Sequence, residues 1–111
     1  MRILNKKLGY IIALVFIGQT VFSQSIQKQL IAATNSYKSL KYDLAITQLK
    51  PIVAKDSANL GAMVMLAESY RLTKQYPEAL KYYEILALKN NPRADWVLRY
   101  AESLAIDKAY E

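Results

Sequence analysis

Residues 63–92 read MVMLAESYRLTKQYPEALKYYEILALKNNP. Apolar side chains recur there at helical spacing, so the stretch predicts two short helices folded back on each other. Its skeleton is Met63-x2-Leu66-Ala67-x2-Tyr70, then Ala79-x3-Tyr83, then Pro92. Sliding the chain by 34 residues superposes Ala33 on Ala67 on Ala101, and Tyr42 on Tyr76 on Tyr110. Ala45 falls on Ala79, Glu68 on Glu102, Ser69 on Ser103 and Leu49 on Tyr83, while Ser36 and Leu104 fall on Tyr70, all without an insertion. A fixed period of this length is the sequence signature of stacked helical hairpins.

The rest of the chain predicts elements in the same register. Ile26, Leu30, Ala33 and Tyr37 place an apolar stripe on a helix from Gln24 to about Lys38. After Ser39-Leu40-Lys41, a second helix opens at Tyr42 or Asp43 with Leu44, Ala45, Leu49, Ile52 and Val53 inward. Pro51 removes a backbone donor inside that helix, which predicts a kink near Thr47 or an end to regular helix there. The polar turn Asp56-Ser57-Asn59 is suited to cap a third helix, about Leu60 to Leu72, burying Met63, Leu66, Ala67 and Tyr70. Pro77 fits the first turn of a fourth, running to about Lys89 with Ala79, Leu80, Tyr83, Leu86 and Ala87 inward, and Asn90-Asn91-Pro92 stops it. Asp95 is the expected cap of a fifth helix that buries Trp96, Val97, Tyr100, Ala101, Leu104 and Ala105. Closely crossing helices admit only small side chains at the contact, the place expected for Ala33, Ala45, Ala67, Ala79 and Ala101.

Composition narrows the function classes. The 111 residues are 53% hydrophobic with neither Cys nor His, which removes thiol nucleophiles, imidazole bases and Cys/His zinc sites. The three glycines form no phosphate-binding loop and no nucleophile elbow. No catalytic, metal or cofactor-binding residues are therefore expected. The formal charge of +6 is concentrated at the start: Arg2, Lys6 and Lys7 are basic, all nine acidic residues lie beyond Tyr42, and residues 24–111 keep only +3. That balance gives little reason to expect a nucleic-acid partner.

Residues 1–23 combine the basic start with an apolar run from Leu8 to Ile17 and a polar break at Gly18-Gln19-Thr20. Val21 and Ser23 are small enough for the positions three and one before a signal-peptidase cut, predicting a signal peptide cleaved between Ser23 and Gln24. The run is shorter than the roughly 20 residues of a spanning helix, so no stable membrane span is expected after cleavage. The ending Phe-Ser-Gln is similar to signal peptides of Bacteroidota envelope proteins.

The large/large-small/aromatic, small/aromatic, proline pattern of residues 63–92 resembles the tetratricopeptide repeat (TPR) family. The resemblance implies an all-α helical-hairpin solenoid over residues 24–111, with units at about 26–59 and 60–93 and an incomplete third at 94–111. It implies a concave groove lined by the first helix of each unit: Leu30, Thr34, Tyr37 and Lys38, then Val64, Glu68 and Arg71, then Leu98, Arg99 and Glu102. That groove would bind another protein or peptide. Of the positions that hold a peptide carboxylate in some members, here Leu30, Thr34, Met65, Asp95 and Arg99, only Arg99 suits the chemistry, so that clamp is not expected. Glu68 with Arg71 and Arg99 with Glu102 are spaced for intrahelical ion pairs on solvated faces.

Residues 66–87 and 99–111, LAESYRLTKQYPEALKYYEILA and RYAESLAIDKAYE, also look like the N-terminal repeat segment of envelope proteins that continue into a β-propeller and an OmpA-like domain. The expectation is an exported interaction module, periplasmic or outer-membrane associated. Two other classes compete: the N-terminal regulatory segment of a longer enzyme or sensor, and a free-standing periplasmic adaptor. The incomplete third unit leaves an apolar face through which self-association is expected.

Overall fold

A computed structural model describes residues 25–109. The described residues form five α-helices and no strand: α1 (residues 25–38), α2 (Tyr42–Lys55), α3 (Leu60–Leu72), α4 (Tyr76–Ala87) and α5 (Ala94–Ala109). The expected signal peptide and cleavage site, and Tyr110, lie outside the described residues. Each helix from α2 onward packs against the next in the chain. The Ser36 hydroxyl of α1 meets the Gln48 amide oxygen of α2 at 2.7 Å.

The 34-residue offset holds in the backbone as well as in the side chains. At the end of α1, Leu40 takes a left-handed conformation (φ 62°), its N–H donates to Tyr37 O at 3.0 Å, and Lys41 N–H donates to Ser36 O at 2.9 Å. At the end of α3, Lys74 has φ 62°, its N–H reaches Arg71 O at 3.0 Å, and Gln75 N–H reaches Tyr70 O at 2.8 Å. This crossed pair of bonds is the Schellman ending, which satisfies carbonyls that the helix leaves open. Because the turn delivers the chain straight into the next helix, α2 and α4 start without a side-chain cap. Asp43 and Glu78 supply negative charge in those first turns instead. α3 follows a longer connection and is capped as expected, with Asn59 Oδ1 accepting from Ala62 N at 3.0 Å.

The core runs along the seams between neighbouring helices. Ala33, Ala45, Ala67 and Ala79 are all fully buried, as the close crossings require, with Leu49, Ile52, Leu66, Tyr83 and Leu86 around them. Ser69 and Ser103 sit one offset apart, and each buried hydroxyl donates to its own helix four residues back, to Met65 O and Arg99 O at 2.7 Å.

Several expectations need correction. Pro51 does not end α2, which continues to Lys55, with Pro51 itself on the exposed side. Leu44 is 46% exposed while Ile46 takes the inward place. α4 stops at Ala87 rather than Lys89, and Leu80 and Ala87 are only partly buried. Asp95 lies inside the first turn of α5 and pairs with Arg93 at 3.1 Å instead of capping the helix. On α5 only Trp96 of the expected apolar residues is buried; Val97, Ala101 and Ala105 are exposed, and Tyr100 and Leu104 half-buried, because no described helix covers that side.

Candidate functional site

Glu68, on the third turn of α3, is the centre of a polar cluster that joins three helices. Its Oε2 accepts from Arg71 Nη2 and, at 3.2 Å, from Arg71 Nε, one turn along the same helix. Its Oε1 accepts from the Tyr83 hydroxyl of α4. Arg99 of α5 brings its Nε to 3.4 Å from the same oxygen and its Nη1 to 2.9 Å from Glu102 Oε2. The Glu68 side chain is only 16% exposed, so the solvated surface pair expected with Arg71 is instead a shielded node spanning α3, α4 and α5.

Burial alone would raise the Glu68 carboxyl, but the hydrogen bonds from Arg71 and Tyr83 and the charges of Arg71 and Arg99 outweigh it and hold the group below the usual glutamate range. The Tyr83 hydroxyl is driven far above its ordinary value, by burial first and then by its bond to Glu68. Arg71 is raised in turn, chiefly through its hydrogen bond to Glu68. A carboxylate fixed in its ionised form by three donors is a poor proton donor near neutrality, and its partners are committed to it. The arrangement orders these side chains around the carboxylate.

Tyr37 of α1 lies near the cluster. Its hydroxyl is raised by burial and by the nearby Glu68 charge, and its ring stands edge-on to Tyr42 at 5.8 Å between centroids. The structure therefore joins Glu68, Arg71, Arg99 and Glu102 of the expected groove, with Tyr83 added from α4 and Tyr37 near enough to feel the Glu68 charge. Leu30 and Val64 are partly buried against the core, and the Thr34 hydroxyl turns back to Leu30 O at 2.7 Å. Leu98 is exposed and is no part of this cluster. Tyr82, unexplained by the sequence pattern, stacks on Tyr70 at 6.0 Å.

The Tyr83 hydroxyl is the participant that the sequence pattern assigned only to filling space. A signal for it exists within the repeat: one offset earlier, Glu68 and Tyr83 are replaced together by Thr34 and Leu49, so both partners of the bond change at once. Among the described residues, no group of three His, Cys, Asp or Glu side chains is placed to hold a metal ion. No helix there is long and apolar enough to cross a membrane.

No protein-family model, curated protein or solved structure matches the chain. Its own geometry defines the class: an all-α chain of consecutively packed helices, with a polar cluster joining α3, α4 and α5.

Proposed function

We propose that the chain is an exported tetratricopeptide-type scaffold that binds another protein along the face shared by α1, α3 and α5. The observation that carries this reading is the recurrence, one 34-residue offset apart, of the same left-handed turn at Leu40 and Lys74 between helices of matching register. A 34-residue helix-turn-helix unit is the period of that repeat family. Within the face, Glu68 neutralises part of the charge on Arg71 and Arg99 and fixes their direction. A partner meets pre-ordered guanidinium groups and the half-buried ring of Tyr37, so little side-chain entropy is lost on contact. The polar start, short apolar run and small residues before Gln24 support export into the cell envelope. The likeness of residues 66–87 and 99–111 to the repeat segment of OmpA-like envelope proteins supports a place at the interaction end of such a protein.

The test uses variants at the rim, since reversing Arg71 would strand the Glu68 carboxylate. Tyr37→Ala combined with Glu102→Lys is expected to lose a partner that the unaltered chain captures from an envelope fraction, with the helical circular-dichroism spectrum retained. Equal capture by both forms would refute the assignment of this face.

A further inference from the structure

We propose that the outward side of α1, together with the turn into α2, is a docking surface for the headgroups of an anionic lipid bilayer. The inference is independent of the groove, because Leu30, Thr34 and Tyr37 follow a different, half-buried stripe of α1.

Charge is unevenly divided along the chain. Residues 25–55 carry five lysines and a single acid, Asp43, for a net +4, whereas residues 56–109 carry seven basic and seven acidic residues and are neutral. Pairing differs in the same way. Arg71, Arg93 and Arg99 each meet a carboxylate, while among the described residues none of Lys28, Lys38, Lys41 and Lys50 is paired with one. All four of these lysines are exposed.

Apolar side chains stand among these charges. Lys28, Ile31 and Lys38 follow one another at intervals of three and seven residues, which sets them on one side of α1, away from the buried Ala33. Lys38, expected in the groove, thus shares an exposed side with Lys28. Ile31 is 61% exposed between them. Directly beyond α1, Leu40 stands 70% exposed in its left-handed turn and is followed by Lys41.

The residue types select the partner. A protein carboxylate is held best by arginine, whose planar fork offers two parallel bonds, and residues 25–55 contain no arginine. Lysine is a flexible point charge, and its attraction to an anionic membrane surface needs no fixed partner atom. Its aliphatic stem lies along apolar surface while the ammonium reaches the headgroups. Isolated apolar side chains such as Ile31 and Leu40 are suited to the boundary just beneath them.

The chain has no cysteine, so Asn35→Cys, exposed between Ile31 and Lys38, gives the full 111-residue chain a single attachment point for an environment-sensitive fluorophore. Such a label reports contact at α1 itself. Its emission is expected to shift to the blue with vesicles of about one-third phosphatidylglycerol and to stay unchanged with pure phosphatidylcholine. Lys28→Gln with Lys38→Gln should raise the lipid concentration at half-shift about 25-fold, about fivefold for each charge removed, with the helical circular-dichroism spectrum retained. The same neutralisation at Lys81 and Lys89, both exposed, should leave the titration unchanged. No shift, an equal shift with neutral vesicles, or equal titrations for the Lys28→Gln, Lys38→Gln chain and its parent would overturn the proposal. So would a shift produced by soluble poly-glutamate and not by vesicles, which would give the patch to an acidic protein.

Discussion

Lys74 holds a left-handed backbone conformation with φ 62°, an arrangement that glycine takes without the clash a Cβ brings. Its side chain is exposed, so nothing in the core depends on it. Lys74→Gly is therefore expected to stabilise the chain by about 0.5–1 kcal/mol in urea titrations, the relief at the turn exceeding the entropy added to the unfolded chain; a loss of stability would place the turn elsewhere. Glu68 makes the second argument at this scale. Its carboxyl is held below the unfolded glutamate value of about 4.3, so the stability it contributes is fully present above that pH. That stability is lost as pH falls through the lower folded value. Tyr83→Phe removes one of the donors responsible and should cost about 1–2 kcal/mol at neutral pH. The same change moves the acid edge of the stability curve upward, read from urea midpoints measured between neutrality and acid. Identical acid edges for the two proteins would mean that the Tyr83 hydroxyl does not hold Glu68.

At the scale of the helix, what separates α3 from α5 is the presence of a neighbour on each side. Ala67 sits fully buried in a crossing, and Ala101, its counterpart, is exposed. Ala67→Leu should cost about 1–3 kcal/mol through overpacking. Ala101→Leu should fall within about 0.5 kcal/mol of the unaltered chain, the usual range for a surface change. Thermal melts of the two variants side by side decide the matter, and equal losses would mean that the α5 face is covered. Pro51 shows how tertiary packing overrides a local preference: Ile52 and Val53, just past it, are both buried, and α2 continues so that they reach the core.

At the scale of the molecule, the helices and their order were legible because the apolar stripes and the alanine positions repeat without an insertion. Asn59 as a cap and Pro77 in a first turn were legible for the same local reasons that make them common there. Less was readable where the outcome depends on a neighbour outside the local window. Val97 and Ala101 have the residue types of a buried seam, and their exposure follows from the missing cover alone. Glu68 and Arg71 have the spacing of a surface pair, and only the arrival of Tyr83 and Arg99 from α4 and α5 turns them into a shielded cluster. Leu40 and Lys74 carry none of the glycine signal that usually marks a left-handed helix ending.

The most direct test of the repeated hairpin is backbone NMR of the isotopically labelled chain. Two hairpins in 34-residue register predict helical carbon shifts over residues 25–38, 42–55, 60–72 and 76–87, broken by positive-φ couplings at both Leu40 and Lys74. An uninterrupted helix through residues 38–42 or 72–76, or extended shifts anywhere in these four segments, would contradict it.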